Sequence, residues 1–419
     1  MGGDLFSVMP LEVWIAAGLA LYMAWAIGAN DVANAMGTSV GSGALTIRAA
    51  IFVAAVFEFS GAFLAGGHVT DTIRKGILDT DLVSDASLLY GMLAALASAA
   101  TLLLGATRLG LPVSTTHAIV GAIVGFGAVA IGSDAVNWAK VWQIVASWVT
   151  SPLISGVLAF GIFQITRRLI LDRDDPLAAT KRIGPFFYFY VVFIISLVTL
   201  FKGLENLKLD LDLPRALLAS LALGGVGYVI GYVILNRVRA GDAEPGRRFS
   251  QVERIFVALQ ILTACAVAFA HGSNDVANAI GPLAAVVNVM DGGSVGSKAP
   301  VQPWMLAIGG VGIVIGLATW GYRVMETVGK KITELTPSRG FAAELAAATT
   351  IVLASRLGIP ISTTHTLVGA VLGVGLARGI GAIDMRVVGQ IVASWVLTLP
   401  IAAGLSIFFY YFFKGLLGD

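Results

Sequence analysis

Two carboxylates in this chain stand where charge is expensive. Gly28 to Gly37 reads GANDVANAMG and Gly272 to Gly281 reads GSNDVANAIG, and each decapeptide lies inside apolar sequence long enough to cross a bilayer. An ionisable side chain at that depth marks a functional site whose partner must be named. Here the partner is the second copy. Asn30, Asp31, Asn274 and Asp275 supply carboxylate and amide oxygens, hard ligands suited to Na⁺ or a similar cation. Gly28 and Gly37 flank the first triplet, so a local break is expected there, freeing carbonyls beside Asp31. An Asn that merely bonds a neighbouring helix is the plainer alternative. N-D-x-x-N written twice favours a site.

A second element accompanies the first. Leu111 to Gly125 reads LPVSTTHAIVGAIVG and Ile359 to Gly373 reads IPISTTHTLVGAVLG. Pro112 and Pro360 suit the first turn of a helix or a kink before one, and the hydroxyls that follow can cap free N–H groups. A helix N-terminus inside the membrane offers N–H donors and a partial positive charge to an anion. Ser114, Thr115, Thr116, Ser362, Thr363 and Thr364 are the candidate anion ligands, with Asn34 and Asn278 beside them. Caps that only close their own helices are the alternative. No Lys or Arg lies within these motifs; Arg108 and Arg356, four residues ahead of each proline, read as helix-end anchors. An anion sharing a low-dielectric pocket with Asp31 and Asp275 is repelled unless cations enter with it, which is positive linkage between two ligands.

Two further carboxylates, Glu58 and Glu344, are embedded in apolar runs and are candidates for cation coordination or gating. They are not repeat equivalents, since Glu344 pairs with Leu96. His117 and His365 close the two S-T-T-H motifs, and His68 and His271 fall near span ends; their spacing fits no zinc template, and packing or a hydrogen bond to the site is expected. Gln143 and Gln390, with Ser147 and Ser394, repeat at helical spacing as candidate outer ligands, interhelical bonding being the equal contender.

The elements that must position these residues are membrane helices. Hydrophobic residues make up 57% of 419, charged residues 12%, and mean hydropathy is +0.87. Runs of about 20 apolar residues fit spanning helices rather than the alternating strands of a β-barrel. The fold class is therefore an all-α integral membrane protein of roughly ten to twelve spans, multi-pass in the cell membrane and bounded by lipid. A net charge of +2 argues against a nucleic-acid partner, and the single Cys265 excludes an internal disulfide. No Lys or Arg precedes Arg48, so the first apolar run is kept as a span.

The motifs recur at nearly constant separation: 244 residues from Asp31 to Asp275, 248 from Thr115 to Thr363 and 247 from Gln143 to Gln390. One unit was duplicated. The reading gives a first membrane repeat over 11–166, a connector over 167–250 with two more spans and two basic loops, and a second repeat over 251–413. Arg167, Arg168, Arg173, Lys181 and Arg182 make one basic loop, and Arg237, Arg239, Arg247, Arg248 and Arg254 the other; both are assigned to the cytoplasm. The loop reading D-T-I-R-K from Asp71 to Lys75, with Asp79, Asp81 and Asp85, in the first unit matches one with Arg323, Lys330, Lys331 and Arg339 in the second, so equivalent loops face opposite sides. Inverted repeats with discontinuous, re-entrant helices are the architecture of alternating access around a midplane site.

Together, the paired N-D-V-A-N and P-x-S-T-T-H motifs resemble those of the inorganic phosphate transporter (PiT) family, and the likeness covers both units. It implies symport of inorganic phosphate with Na⁺, or with H⁺ in some members, by elevator-like or related alternating access in a homodimer. Asn30, Asp31, Asn274 and Asp275 match the signature, and Glu58 and Glu344 match the family's transport-linked membrane glutamates. The resemblance implies no cofactor other than the coupling ion. The middle connector is short beside the large loop of animal members. H⁺-coupled phosphate or metal–phosphate uptake is the alternative within transport. A membrane-embedded hydrolase is the alternative of another class, disfavoured because every candidate residue is duplicated and no nucleophile elbow or H-E-x-x-H occurs.

Overall fold

The computed structural model describes residues 9–67, 76–79, 82–200, 212–238, 245–292, 301–357, 359 and 361–418, apart from the side chains of 32–34, 198, 245–250, 326, 330, 355 and 356. His68, the Asp71 to Lys75 stretch, Pro360 and the side chains of Asn34 and Arg356 thus lie outside the described residues. Among the described residues there are thirteen α-helices and no β-strand. They are α1 (Leu11–Gly41), α2 (Ile47–Ala65), α3 (Asp85–Arg108), α4 (Thr115–Phe126), α5 (Trp138–Thr166), α6 (Pro176–Val198) and α7 (Leu213–Arg237). Then follow α8 (Pro245–Met290), α9 (Pro303–Trp320), α10 (Tyr322–Lys330), α11 (Pro337–Arg356), α12 (Thr363–Arg378) and α13 (Met385–Leu417). Among the described residues nine of these are long and apolar enough to cross a bilayer by themselves; α4 and α12 are too short to do so.

Local chemistry sets the ends of the short helices. Ser114 and Ser362 accept the N–H of His117 and His365 at 3.2 and 3.1 Å, capping α4 and α12. At matched positions beyond their C-termini stand Gly132 and Gly379, with φ of 148° and 112°, a region that other residues avoid.

Packing crosses between the repeats, and it does so reciprocally. α1 packs on α9 while α2 packs on α8; α4 packs on α13 while α12 packs on α5. A Cβ at Gly28 would fall on the carbonyl of Ile313, and one at Gly272 on that of Glu58; Gly61 meets Phe269 as Gly316 meets Trp25. Such exchange of equivalent partners is the signature of a two-fold relation. Among the described residues seven α-helices, α1 to α7, precede the start of α8. Whether the α3–α4 hairpin crosses fully or turns back, the number of crossings between those starts is odd, so the two halves are inverted.

The expected break in the first motif does not occur. α1 and α8 run unbroken through both N-D-V-A-N sequences. Gly28 and Gly272 serve close helix crossing rather than unwinding, the use small residues find in membranes, where packing rather than water drives association. Around this centre the outer helices turn large apolar side chains outward, among them Phe52, Val157, Leu218 and Phe408, each more than 60% exposed. Such a surface suits hydrocarbon. The protein is a multi-pass integral membrane protein.

Candidate ion and anion site

The helix starts and the carboxylates converge. Asp31 and Asp275 sit about two-thirds of the way along α1 and α8, 1% and 0% exposed. Thr363, the first residue of α12, donates to Oδ2 of Asp275 at 2.8 Å. Thr364 donates to Oδ1 of Asp31 at 3.4 Å, and Thr115, the first residue of α4, also bonds Asp31. Asn278 donates to Oγ1 of Thr115 at 3.3 Å. The two hairpin ends are tied together as well: Thr116 donates to the carbonyl of Ile361 at 3.1 Å and Thr364 to that of Val113 at 3.3 Å, equivalent bonds on either side of the two-fold. Two helix N-termini thus meet at two buried carboxylates. The first supply anion-binding donors, the second cation-binding acceptors.

Asn30 has a different task from the cation ligand expected. Its amide donates to Oγ1 of Thr107 at 3.0 Å and to the carbonyl of Leu111 at 3.1 Å, and its Oδ1 accepts from the N–H of Val113 at 3.2 Å. It holds the turn of the α3–α4 hairpin. Asn30→Ala leaves these groups buried without partners and is expected to cost about 2 kcal/mol, read as a lower thermal midpoint of the purified protein.

Glu58 reaches the site through His271, for which the sequence offers packing or a hydrogen bond to the site. His271 Nδ1 lies 2.7 Å from Oε2 of Glu58, while Nε2 lies 2.9 Å from Oδ2 of Asp275 and 4.0 Å from Oδ2 of Asp31. The signal was present: His271 is four residues before Asp275, one helical turn away on the same face. Glu344 belongs to a separate cluster. Its Oε1 accepts from Thr38 at 2.6 Å, Ser39 at 2.7 Å and Gln260 at 3.1 Å, and its Oε2 from Thr263 at 2.7 Å.

These added groups are not duplicated. The counterparts of His271 and Glu58 are Ile27 and Ile313; those of Glu344, Gln260, Thr263, Thr38 and Ser39 are Leu96, Ala16, Leu19, Pro282 and Leu283. Gln260, Thr263 and His271 precede Asp275, whereas Thr38 and Ser39 follow Asp31 on the opposed helix, so all lie on the side where the basic connector enters α8. On the other side Ala20, Met23 and Ile27 of α1 join Ile280 and Leu283 of α8 and Leu96 of α3 in one apolar core.

The candidate outer ligands do not come to the site. Gln143 and Gln390 are exposed, and Gln143 accepts from Lys140 Nζ at 3.1 Å. The hydroxyls of Ser147 and Ser394 turn onto their own helices, at the carbonyls of Ile144 and Ile391. One polar repeat every turn can face outward as readily as inward. His117 and His365 meet edge to face at 4.4 Å and lie over Trp148 and Trp395, with centroids 3.6 and 3.5 Å apart for the two His–Trp pairs. Each donates its Nδ1–H to the carbonyl of the opposite repeat's tryptophan, locking α4 and α12 to α13 and α5. Arg108, on the surface, lies 5.6 Å over the ring of Trp320, as an anchor would.

Inverted repeats, two short helices aimed at midplane carboxylates and an apolar outer surface define a secondary transporter rather than an enzyme. The match to known proteins specifies which: residues 27–406 fit the model of the phosphate transporter family, and the chain belongs to that family. A relative from Haemophilus influenzae is 47% identical over 403 residues, covering 95% of this chain and 96% of its own. The Arabidopsis thaliana protein named inorganic phosphate transporter 2-1, chloroplastic, is 45% identical over 94% of this chain and 71% of its own length. A solved structure titled the sodium-dependent phosphate transporter superposes with a TM-score of 0.91 at 41% identity, over 97% of this chain and all of that one.

Proposed function

We propose that this protein carries inorganic phosphate across the membrane together with Na⁺, by alternating access of its inverted halves. The observation that carries the reading is the meeting of the α4 and α12 N-termini at Asp31 and Asp275. Phosphate takes the hydroxyls and N–H groups of Ser114 to Thr116 and Ser362 to Thr364, with Asn34 and Asn278 beside them. Sodium ions lie between it and the two carboxylates. Unit charges about 4 Å apart interact by about 4 kcal/mol at an effective dielectric constant of about 20. Uncompensated repulsion of that size excludes the anion, and cations remove it.

The oxygen cluster around Glu344 supplies a further cation position on the basic-connector side. With the carboxylate and the hydroxyl oxygens of Thr38, Ser39 and Thr263 converging, Glu344→Gln is expected to raise the Na⁺ concentration for half-maximal uptake about tenfold and to lower the Hill coefficient, with phosphate affinity at saturating Na⁺ nearly unchanged. The assembly is proposed to be a homodimer, so light scattering of the detergent-solubilised protein should return twice 43.5 kDa after subtraction of detergent.

The deciding experiment is uptake of radiolabelled phosphate into sealed vesicles holding purified protein, with Na⁺ and pH gradients imposed separately. Uptake that follows the Na⁺ gradient supports the reading. Uptake that ignores Na⁺ and follows the pH gradient replaces it with H⁺ coupling, for which the chain of contacts Asp275, His271, Glu58 is the matching feature.

A further inference from the structure

Sodium coordination by oxygen leaves one feature at the carboxylates unused. Asp31, His271 and Asp275 each offer one ligand atom, all within 4.8 Å of one another and all fully buried. Asp31 Oδ2, Asp275 Oδ1 and His271 Nε2 have no hydrogen-bond partner, and Nε2 lies 2.9 Å from Oδ2 of Asp275. On the far side of the ring, Glu58 holds Nδ1 at 2.7 Å. That is the arrangement in which a carboxylate fixes the tautomer of a histidine and presents the other nitrogen to a metal. Na⁺ takes oxygen, whereas imidazole with carboxylates suits Mn²⁺, Co²⁺ or Zn²⁺. Ligands about 2.1 Å from one ion lie roughly 3 Å apart at right angles, so His271 and Asp275 are already in place and Asp31 closes by about 1 Å.

We propose that Asp31, His271 and Asp275 form a binding site for a divalent first-row transition metal ion, which excludes Na⁺ from the same carboxylates and so arrests sodium-driven uptake. The site builds on the sodium reading above by giving the shared aspartates a second, inhibitory occupant. Duplication did not create it: the repeat counterparts of His271 and Glu58 are the pair Ile27 and Ile313, so the nitrogen ligand of the second repeat and the supporting carboxylate of the first meet once, and the equivalent contact across the two-fold is apolar.

Co²⁺ is the probe. Wild-type protein in phosphate-free buffer should bind one Co²⁺ per chain, with an intensified visible d–d band, and Na⁺ should displace it competitively. Micromolar Co²⁺ should inhibit Na⁺-driven phosphate uptake, and excess chelator should restore it. His271→Gln should weaken Co²⁺ binding at least tenfold, and Glu58→Gln between tenfold and a hundredfold. Should His271→Gln fail to fold, Glu58→Gln and the competition in wild type decide. Co²⁺ bound as tightly by both variants, or not displaced by Na⁺, overturns the site. Na⁺-driven uptake without Co²⁺ binding overturns the metal site alone. Co²⁺ binding that Na⁺ displaces, without Na⁺-driven uptake, overturns the transport reading and leaves the metal site standing.

Discussion

Asp275→Asn is expected to abolish Na⁺-driven phosphate uptake, with a loss of a hundredfold or more at physiological Na⁺. The substitution keeps the shape and the acceptor for the hydroxyl of Thr363, now 2.8 Å from Oδ2, and removes only charge. What disappears is the attraction that holds a cation at the start of α12, and with it the screening that admits phosphate. Coupling between two ligands of about 1–3 kcal/mol corresponds to roughly 5- to 150-fold in affinity, so phosphate binding weakens although no phosphate ligand has been touched. Asp31→Asn should act in the same direction, because Asp31 faces the same two hairpin ends through Thr115 and Thr364. Isothermal titration with phosphate at several Na⁺ concentrations separates the effects: each variant should need more Na⁺ to reach a given phosphate affinity. Tighter phosphate binding in both variants at saturating Na⁺ would show that the carboxylates oppose the anion directly and that no cation bridges them.

How much of this could be read in the residues depends on whether a feature was written twice. Asp31, Asp275 and the two S-T-T-H motifs announce themselves by repetition, and the same repetition exposes the inverted halves. The groups present once are another matter. Glu344 meets Thr38 and Ser39 across 306 and 305 residues of chain, and Gln260 across 84, so no local pattern connects them, and their counterparts are apolar. His271 lay beside the motif, but its significance comes from Glu58, 213 residues away on a helix that packs across the two-fold. Repetition also misled. Gln143 and Gln390 are a matched pair that faces outward, because duplication preserves a lipid-facing or interfacial surface as faithfully as an interior one.

The glycines of the motif misled for a related reason, and their correction yields the largest expected effect on folding. Read along the chain, Gly28 and Gly272 look like breakers, since glycine costs a helix about 1 kcal/mol against alanine. In the fold each lies where another helix crosses at backbone contact. A methyl group at Gly272 would occupy the position of the Glu58 carbonyl, and one at Gly28 that of Ile313. Backbone cannot rotate aside as a side chain can, so α2 must move off α8, or α9 off α1. Gly272→Ala is therefore expected to destabilise by about 3 kcal/mol or more despite the gain in helix propensity, while Gly18→Ala on the same helix as Gly28, with nothing within 4 Å, is expected to be neutral or slightly stabilising. Thermal unfolding in detergent followed by intrinsic tryptophan fluorescence tests the contrast. The displacement has a chemical consequence as well. The contact at Gly272 also sets the backbone of Glu58 against α8 one residue from His271, so pushing α2 outward lengthens the 2.7 Å contact between Glu58 and His271. Any Gly272→Ala protein that does fold should show altered cation dependence of uptake, whereas Gly28→Ala, which displaces Ile313 beside Ile27, should lose stability without that change.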